Sequence, residues 1–365
     1  MIYSLANIVG TFEFEGSFLK AEPISSGHIN DTYLAEFATD STINHMIVQR
    51  INHDVFGDPE GMMRNIQAVT EHLRQKIKSA GGDPLRETLT LIPTNDGSYM
   101  YKSDQGDYWR AYIYINNART YDVIEEPRHA FFAGEAFGRF LHLLSDYPAN
   151  KLIETIPNFH HTRKRFETFL AAVDKNEANR ASSSRDEINF VLERESTVSI
   201  LLDEHSKGEL PDRITHNDTK FNNVMIDNVT GKGVCVIDLD TVMPGLSLYD
   251  YGDAIRSITN TAPEDERDLS RVNFDVEIFE YYTQGYLKSA AGILTPKEKE
   301  YLAFSAILMT LECGMRFLTD HLQGDTYFKI NREDQNLDRC RTQFKLVGDM
   351  EEKFDTMRNI VEKYR

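Results

Sequence analysis

A histidine, an aspartate and an asparagine stand in order in His216-Asn217-Asp218-Thr219-Lys220-Phe221-Asn222-Asn223, and fifteen residues beyond Asn223 comes Asp238, within Val236-Ile237-Asp238-Leu239-Asp240. These residue types suit phosphoryl transfer, where the protein does little covalent chemistry and instead positions two substrates and offsets the charge of the phosphates. In the spacing H-x-D-x-x-x-x-N the aspartate faces an acceptor hydroxyl and the asparagine turns back toward a magnesium ion. Asp218 is the candidate base, and Asn223 and Asp238 are candidate magnesium ligands. Asp240 is a further candidate, for a second ion or a ligating water. His216 reads as a brace for the loop backbone rather than a proton carrier. Polar turns at strand ends use the same residue types. The order, the separation and the segment in between are what point to a kinase site.

That segment reads as a β-hairpin. Val224-Met225-Ile226 and Val234-Cys235-Val236-Ile237 are short apolar runs, and the seven residues between them are rich in turn formers. With Ile226 opposite Cys235, equal steps along both strands put Asn223 opposite Asp238, about 5 Å across. One magnesium, which takes oxygen ligands and only one or two protein carboxylates, then touches both. On an extended strand Asp240 lies on the same side as Asp238.

The elements needed to hold these groups divide the chain in two. Residues 1–115 read as a nucleotide-binding lobe of short strands with one helix, and residues 116–365 as a catalytic and acceptor-binding lobe that is mainly helical. The expected class is α+β, a two-lobed protein kinase-like fold with a small antiparallel sheet in the N-terminal lobe and a larger helical C-terminal lobe. Strands at residues 17–22 and 32–37 flank Ser25-Ser26-Gly27-His28-Ile29-Asn30-Asp31, a turn placed where a kinase covers the phosphates. Ser26, Gly27, His28 and Asn30 are nucleotide-binding candidates, although the turn has one glycine and no G-x-G-x-x-G. The next strand, Met46-Ile47-Val48-Gln49-Arg50-Ile51, presents Gln49 where a phosphate-binding lysine is expected, with Arg50 beside it facing the opposite way. Neutralisation of the phosphates then passes to magnesium or to another basic residue.

Met62, Ile66, Val69, Leu73 and Ile77 form one apolar helical stripe. Residues 109–115 alternate as a strand that Asn116-Asn117 breaks, the place for an interlobe hinge. Asp250 and Asp253 stand at a helix start, where a carboxylate caps the helix or accepts N–H bonds from the catalytic loop. The last third carries long helical periodicity.

Composition narrows the partners. A formal charge of -18 argues against a nucleic-acid backbone as ligand. Three cysteines, Cys235, Cys313 and Cys340, lie far apart without metal-ligand spacing, so neither disulfides nor a thiolate metal site is expected. The N-terminus lacks a basic n-region, and no apolar run approaches the roughly 18 residues of a membrane span. The cytoplasm is the expected location, ATP and a small molecule are the expected partners, and oligomeric state is left open.

Taken together, the Gly27-His28-Ile29-Asn30 loop, the Ile47-Val48-Gln49 strand, residues 215–223, Ile237-Asp238-Leu239-Asp240-Thr241 and Glu312-Cys313-Gly314-Met315-Arg316-Phe317-Leu318 resemble the aminoglycoside phosphotransferase and choline kinase-like superfamily. Within it the chain looks very similar to a subgroup of sugar 1-kinases. The resemblance implies transfer from ATP, with Mg2+, to the anomeric hydroxyl of N-acetylglucosamine or N-acetylgalactosamine. By the same resemblance Asp218 is the base, and Arg316 and Tyr327 approach the sugar. Glutamine at position 49 departs from the lysine of the wider superfamily. Read from the residues alone, Arg316 has an alternative, a salt bridge to Glu312 or another acidic neighbour. Other small hydroxyl acceptors, choline and homoserine among them, also stay open, as does a nucleotide-binding regulator without catalysis.

Overall fold

A computed structural model describes residues 4–24 and 29–365 of the chain. Five antiparallel strands form the N-terminal sheet: β1 (Ser17–Ile24), β2 (Asp31–Ala38), β3 (Ile43–Ile51), β4 (Tyr101–Lys102) and β5 (Tyr108–Ile113), in the order β1-β2-β3-β5-β4. Alternation along the strands separates two faces. Ala35, Phe37, Met46, Val48, Trp109 and Ala111 bury against Ile8, Val9 and Phe12 from the chain's start. The opposite face carries Ile51 and Tyr112 into the main core with Met62, Met63, Ile66 and Val69 of the Pro59–Ser79 helix. That helix begins with Asp58 accepting the Gly61 N–H at 2.8 Å and Pro59 in the first turn. Each of its fully buried apolar side chains stabilises by about 1.5–3 kcal/mol before entropy is charged against it.

Asn117, at φ 54°, ends the run after β5 and leads to β6 (Ala118–Arg119). The C-terminal lobe is built on the helices Pro127–Leu143, Thr162–Lys175, Ser247–Ile258, Val276–Ala290, Pro296–Gln323, Gln335–Glu352 and Phe354–Tyr364. Two small sheets carry its functional loops: β6 with β8 (Val224–Asp227) and β9 (Gly233–Val236), and β7 (Arg213–Thr215) with β10 (Met243–Gly245). The expected α+β architecture, an antiparallel N-terminal lobe and a helical C-terminal part, is what the chain adopts.

The Pro296–Gln323 helix is the axis of the lower lobe. Thr295 and Glu298 close a capping box at its start, and Gly324, at φ 96°, ends it. By length and composition this helix could cross a membrane, with mean hydropathy 1.4 in its most apolar window, which corrects the expectation that no run approached that limit. In the fold 83% of that window is buried inside the protein.

Candidate active site

The loop after β7 is held from beneath by carboxylates. Asp250 accepts the backbone N–H groups of His216 at 2.8 Å and Asn217 at 2.7 Å, and Asp253 accepts that of Thr219 at 3.0 Å. Asp250 lies in the first turn of the Ser247–Ile258 helix, Asp253 one turn on, and neither caps it. Burial pushes Asp250 up to about 6, against the pull of His216 and the two N–H bonds. Burial acts on Asp253 in the same sense, but Arg256, 2.7 Å away, and other cations outweigh it and hold the group below its usual value.

His216 is wholly buried; its Nε2 donates to the Ile237 carbonyl at 2.8 Å and its Nδ1 accepts the Asp218 N–H at 3.3 Å. The side chain therefore ties the loop to the residue before Asp238. Asn217 has φ 65°, a left-handed conformation that asparagine tolerates, and its amide bonds Thr215 and Thr241. Deeper support comes from Glu298, which takes Arg213 of β7 at 2.8 Å and Ser247 Oγ at 2.7 Å. The loop after β7 thus hangs from the start of the central helix.

Asp218 and Asn223 meet. Asn223 Nδ2 donates to the Asp218 carbonyl at 2.7 Å and to its Oδ2 at 3.1 Å, which leaves Asn223 Oδ1 without a donor among the described residues. Lys220, which the sequence reading passed over, places its ammonium 2.9 Å from Asp218 Oδ1 and 3.1 Å from Oδ2. The Asp218 charge raises the Lys220 pKa further, so it stays cationic.

The hairpin register differs from equal-step pairing. Met225, not Ile226, lies opposite Cys235, and Ile226 pairs with Gly233 across an irregularity that leaves Val234 as an extra residue. Asn223 consequently faces Ile237, whose N–H it accepts at 2.9 Å. Asp238 follows in a left-handed turn, φ 61°, and Leu239–Thr241 is a 3-10 turn rather than extended strand. Asp238 and Asp240 are therefore not neighbours on one strand face.

Asp238 is an exposed residue, although protein atoms crowd its carboxyl, and it takes no hydrogen bond or ion pair among the described residues. Burial, reinforced by the charges of Asp240 and Asp218, pushes it up to about 6. An unclaimed carboxylate under repulsion from two others, near an amide oxygen without a donor, is a donor set that fits a hard divalent cation. Asp240 is engaged differently. Its Oδ1 lies 2.5 Å from Arg110 Nη1, and its Oδ2 accepts Asn30 Nδ2 at 2.7 Å.

The nucleotide candidates Ser26, Gly27 and His28 lie outside the described residues. Asn30, at the start of the return strand, bonds Asp240 and also accepts the Asn52 N–H at 3.0 Å. Gln49 lies directly opposite Arg110 of β5 and accepts its Nε at 2.9 Å, while donating to Thr32 Oγ1 at 3.0 Å. Arg50 turns to the other face, where Asp31 and Asp107 hold it. Arg110 was not anticipated. It stands 61 positions from Gln49 in the chain, and only strand pairing brings the two together.

On the acceptor side, Arg316 stacks over Phe159, Tyr327 and Phe328 at 5.1, 5.9 and 5.5 Å and has no hydrogen bond or ion pair among the described residues. Its alternative partner Glu312 is taken by His160 Nδ1 at 2.8 Å and Thr162 Oγ1 at 2.5 Å. His160 Nε2 lies 3.2 Å from the Asn217 carbonyl, so the helix turn below Arg316 is wired to the residue preceding Asp218. Tyr327 is 60% exposed.

A small antiparallel sheet over a helical lobe, with Asp218, Asn223, Asp238 and Asp240 gathered where the two meet, defines a kinase-like phosphotransferase. Residues 20–290 match the model of the phosphotransferase enzyme family, APH, and the chain belongs to that family. Solved structures extend the likeness over nearly the whole chain. An aminoglycoside phosphotransferase from Alicyclobacillus acidocaldarius superposes with TM-score 0.62 at 11% identity, covering 97% of this chain and 95% of its own. A choline kinase from Cryptosporidium parvum gives 0.58 at 11% identity, covering 99% and 98%. Spectinomycin phosphotransferase, in complex with ADP and spectinomycin, gives 0.53 at 16%, covering 98% and 95%. At such identities what is shared is the fold.

Proposed function

We propose that this phosphotransferase moves the γ-phosphoryl group of ATP, with Mg2+, to the anomeric hydroxyl of an N-acetylhexosamine. Asn223 and Asp238 would hold the metal, whose charge offsets that of the phosphates. Asp218 orients the acceptor hydroxyl and takes its proton as the new P–O bond forms and the bond to ADP breaks. An anomeric hydroxyl is more acidic than an ordinary alcohol, so a carboxylate needs no unusual basicity for this. Lys220 places a fixed positive charge beside the reacting oxygens.

The observation that carries the acceptor assignment is Arg316. Its guanidinium is stacked on aromatic rings yet bonded to nothing among the described residues, with Glu312 committed elsewhere, so its donors are free for a neutral polar ligand such as a sugar and its N-acetyl carbonyl. A cationic acceptor such as choline would meet a positive charge already seated on those rings.

The test is a screen of free sugars and amino alcohols with ATP and magnesium, with phosphorus NMR of the product. N-acetylglucosamine or N-acetylgalactosamine should yield the 1-phosphate; turnover of amino alcohols with none of N-acetylhexosamines overturns the acceptor assignment. Asp218→Asn should lower kcat by roughly 10²- to 10⁴-fold while ADP still binds.

A further inference from the structure

The nucleotide half of this reading leaves one charge unaccounted for, since the strand position expected to supply a cation to the phosphates is Gln49. The sheet supplies one from next door. Arg110 is 1% exposed, lies directly across from Gln49 on the same face of the sheet, and has its Nε held by the Gln49 amide oxygen at 2.9 Å. Its Nη1 reaches Asp240 Oδ1 at 2.5 Å and also donates to Met63 Sδ at 3.9 Å, and the guanidinium lies 5.3 Å from the Tyr112 ring centre. The contacts with described residues run through Nε and Nη1, and none through Nη2.

Burying a guanidinium costs several kcal/mol unless it is paired and hydrogen-bonded throughout, and this one is paired on two of its three nitrogens. Two carboxylates, Asp238 and Asp240, against one guanidinium leave the metal-binding corner with one net negative charge. A triphosphate brought there with magnesium needs a fixed cation that still has a donor to give. Lys220 already sits on Asp218, and Arg50 faces Asp31 and Asp107 on the far side of β3.

We propose that Arg110 is the phosphate-binding cation of this enzyme, delivered from β5 instead of β3, with Gln49 as the residue that positions it and Asp240 as its standing counter-ion. The chemistry explains why the residue is arginine. A planar fork can donate to Gln49, Asp240 and a phosphate oxygen at once, whereas a lysine ammonium at the same place serves as one point charge. Gln49 is then not a vacancy but the orienting half of a two-residue device. The inference rests on nucleotide binding alone and is independent of the acceptor.

Calorimetric titration of Mg-ADP into the intact protein, without acceptor, tests it. Arg110→Gln should weaken Mg-ADP by about ten- to a hundredfold while leaving sugar affinity unchanged. The exchange variant Gln49→Lys with Arg110→Gln returns a cation to the neighbouring strand and should bind Mg-ADP clearly more tightly than Arg110→Gln. Wild-type affinity in Arg110→Gln overturns the proposal. So does a folded exchange variant, judged by its melting temperature, that binds no better than the single variant. Where Arg110→Gln does not fold, Arg110→Lys decides: a several-fold loss of Mg-ADP affinity is expected, and unchanged affinity removes the argument from the fork. Failure of the wild-type protein to bind Mg-ADP would instead refute the nucleotide reading itself.

Discussion

In the proposed reaction Asp218 is the base, and its surroundings are more crowded than a bare motif suggests. One oxygen takes Asn223 Nδ2 at 3.1 Å, and both lie within about 3 Å of Lys220 Nζ, at 2.9 and 3.1 Å. A base pinned in this way keeps its orientation between turnovers, and the ammonium stands where negative charge gathers during transfer. Lys220→Met should therefore lower kcat by roughly ten- to a hundredfold with smaller changes in either KM. Steady-state kinetics with each substrate varied would show it, and an unchanged kcat would reduce Lys220 to a surface partner. Motif spacing did not single out Lys220, because its role depends on the loop curling back and not on its place in a pattern.

At the scale of elements, the catalytic loop is only as firm as the helices beneath it. Phe137 and Phe140 of the Pro127–Leu143 helix pack edge-on against His216 at 5.6 and 6.0 Å. That helix meets Val276–Ala290 backbone to backbone: a Cβ at Gly134 would come 2.2 Å from the Tyr282 carbonyl, and one at Gly285 would come 2.0 Å from that of Phe131. No rotamer relieves such a contact, so the helices must part. Gly285→Ala should destabilise the protein by about 1–3 kcal/mol in urea denaturation. Gly292→Ala, where a Cβ meets nothing within 4 Å, should stay close to wild type. Equal effects from the two would show that close approach is not what the glycine provides. The hairpin teaches a related lesson. Its turn was readable from residue types, but the extra Val234 moved the pairing by one step, and no pattern of apolar residues signals a bulge.

Across the whole molecule, polar clasps tie the lobes together. Asn30 reaches Asp240, and Arg86 donates to the Asn117 carbonyl at 3.2 Å and to Asp227 Oδ2 at 2.5 Å. The Thr230 N–H, then the Thr230 side chain, the Val229 N–H and Arg86 bring Asp227 down to about 2. Its folded-state pKa lies below the ordinary aspartate value of 3.8, so its contribution to stability is complete above about pH 4 and is lost as pH falls toward 2. Wild type should melt above Asp227→Asn at neutral pH, with the gap narrowing between pH 4 and 2. A gap that stayed constant to pH 2 would mean the carboxylate charge is not what holds the turn.

Residue types and local spacing were enough to determine the reaction class and the α+β two-lobed plan, and to single out Asp218 and Asn223, which meet in the structure, because helix stripes, turn formers and the His216–Asn223 loop are all short-range features. Tertiary structure alone decided how the charges pair. Arg110 is brought to Gln49 by the register of β3 with β5 and to Asp240 by the meeting of the lobes, and Glu312 is drawn away from Arg316 by His160 and Thr162, about 150 residues earlier in the chain, at separations of 152 and 150. Electrostatic partners are set by distance through space and by the dielectric around them, and neither is written in the order of residues.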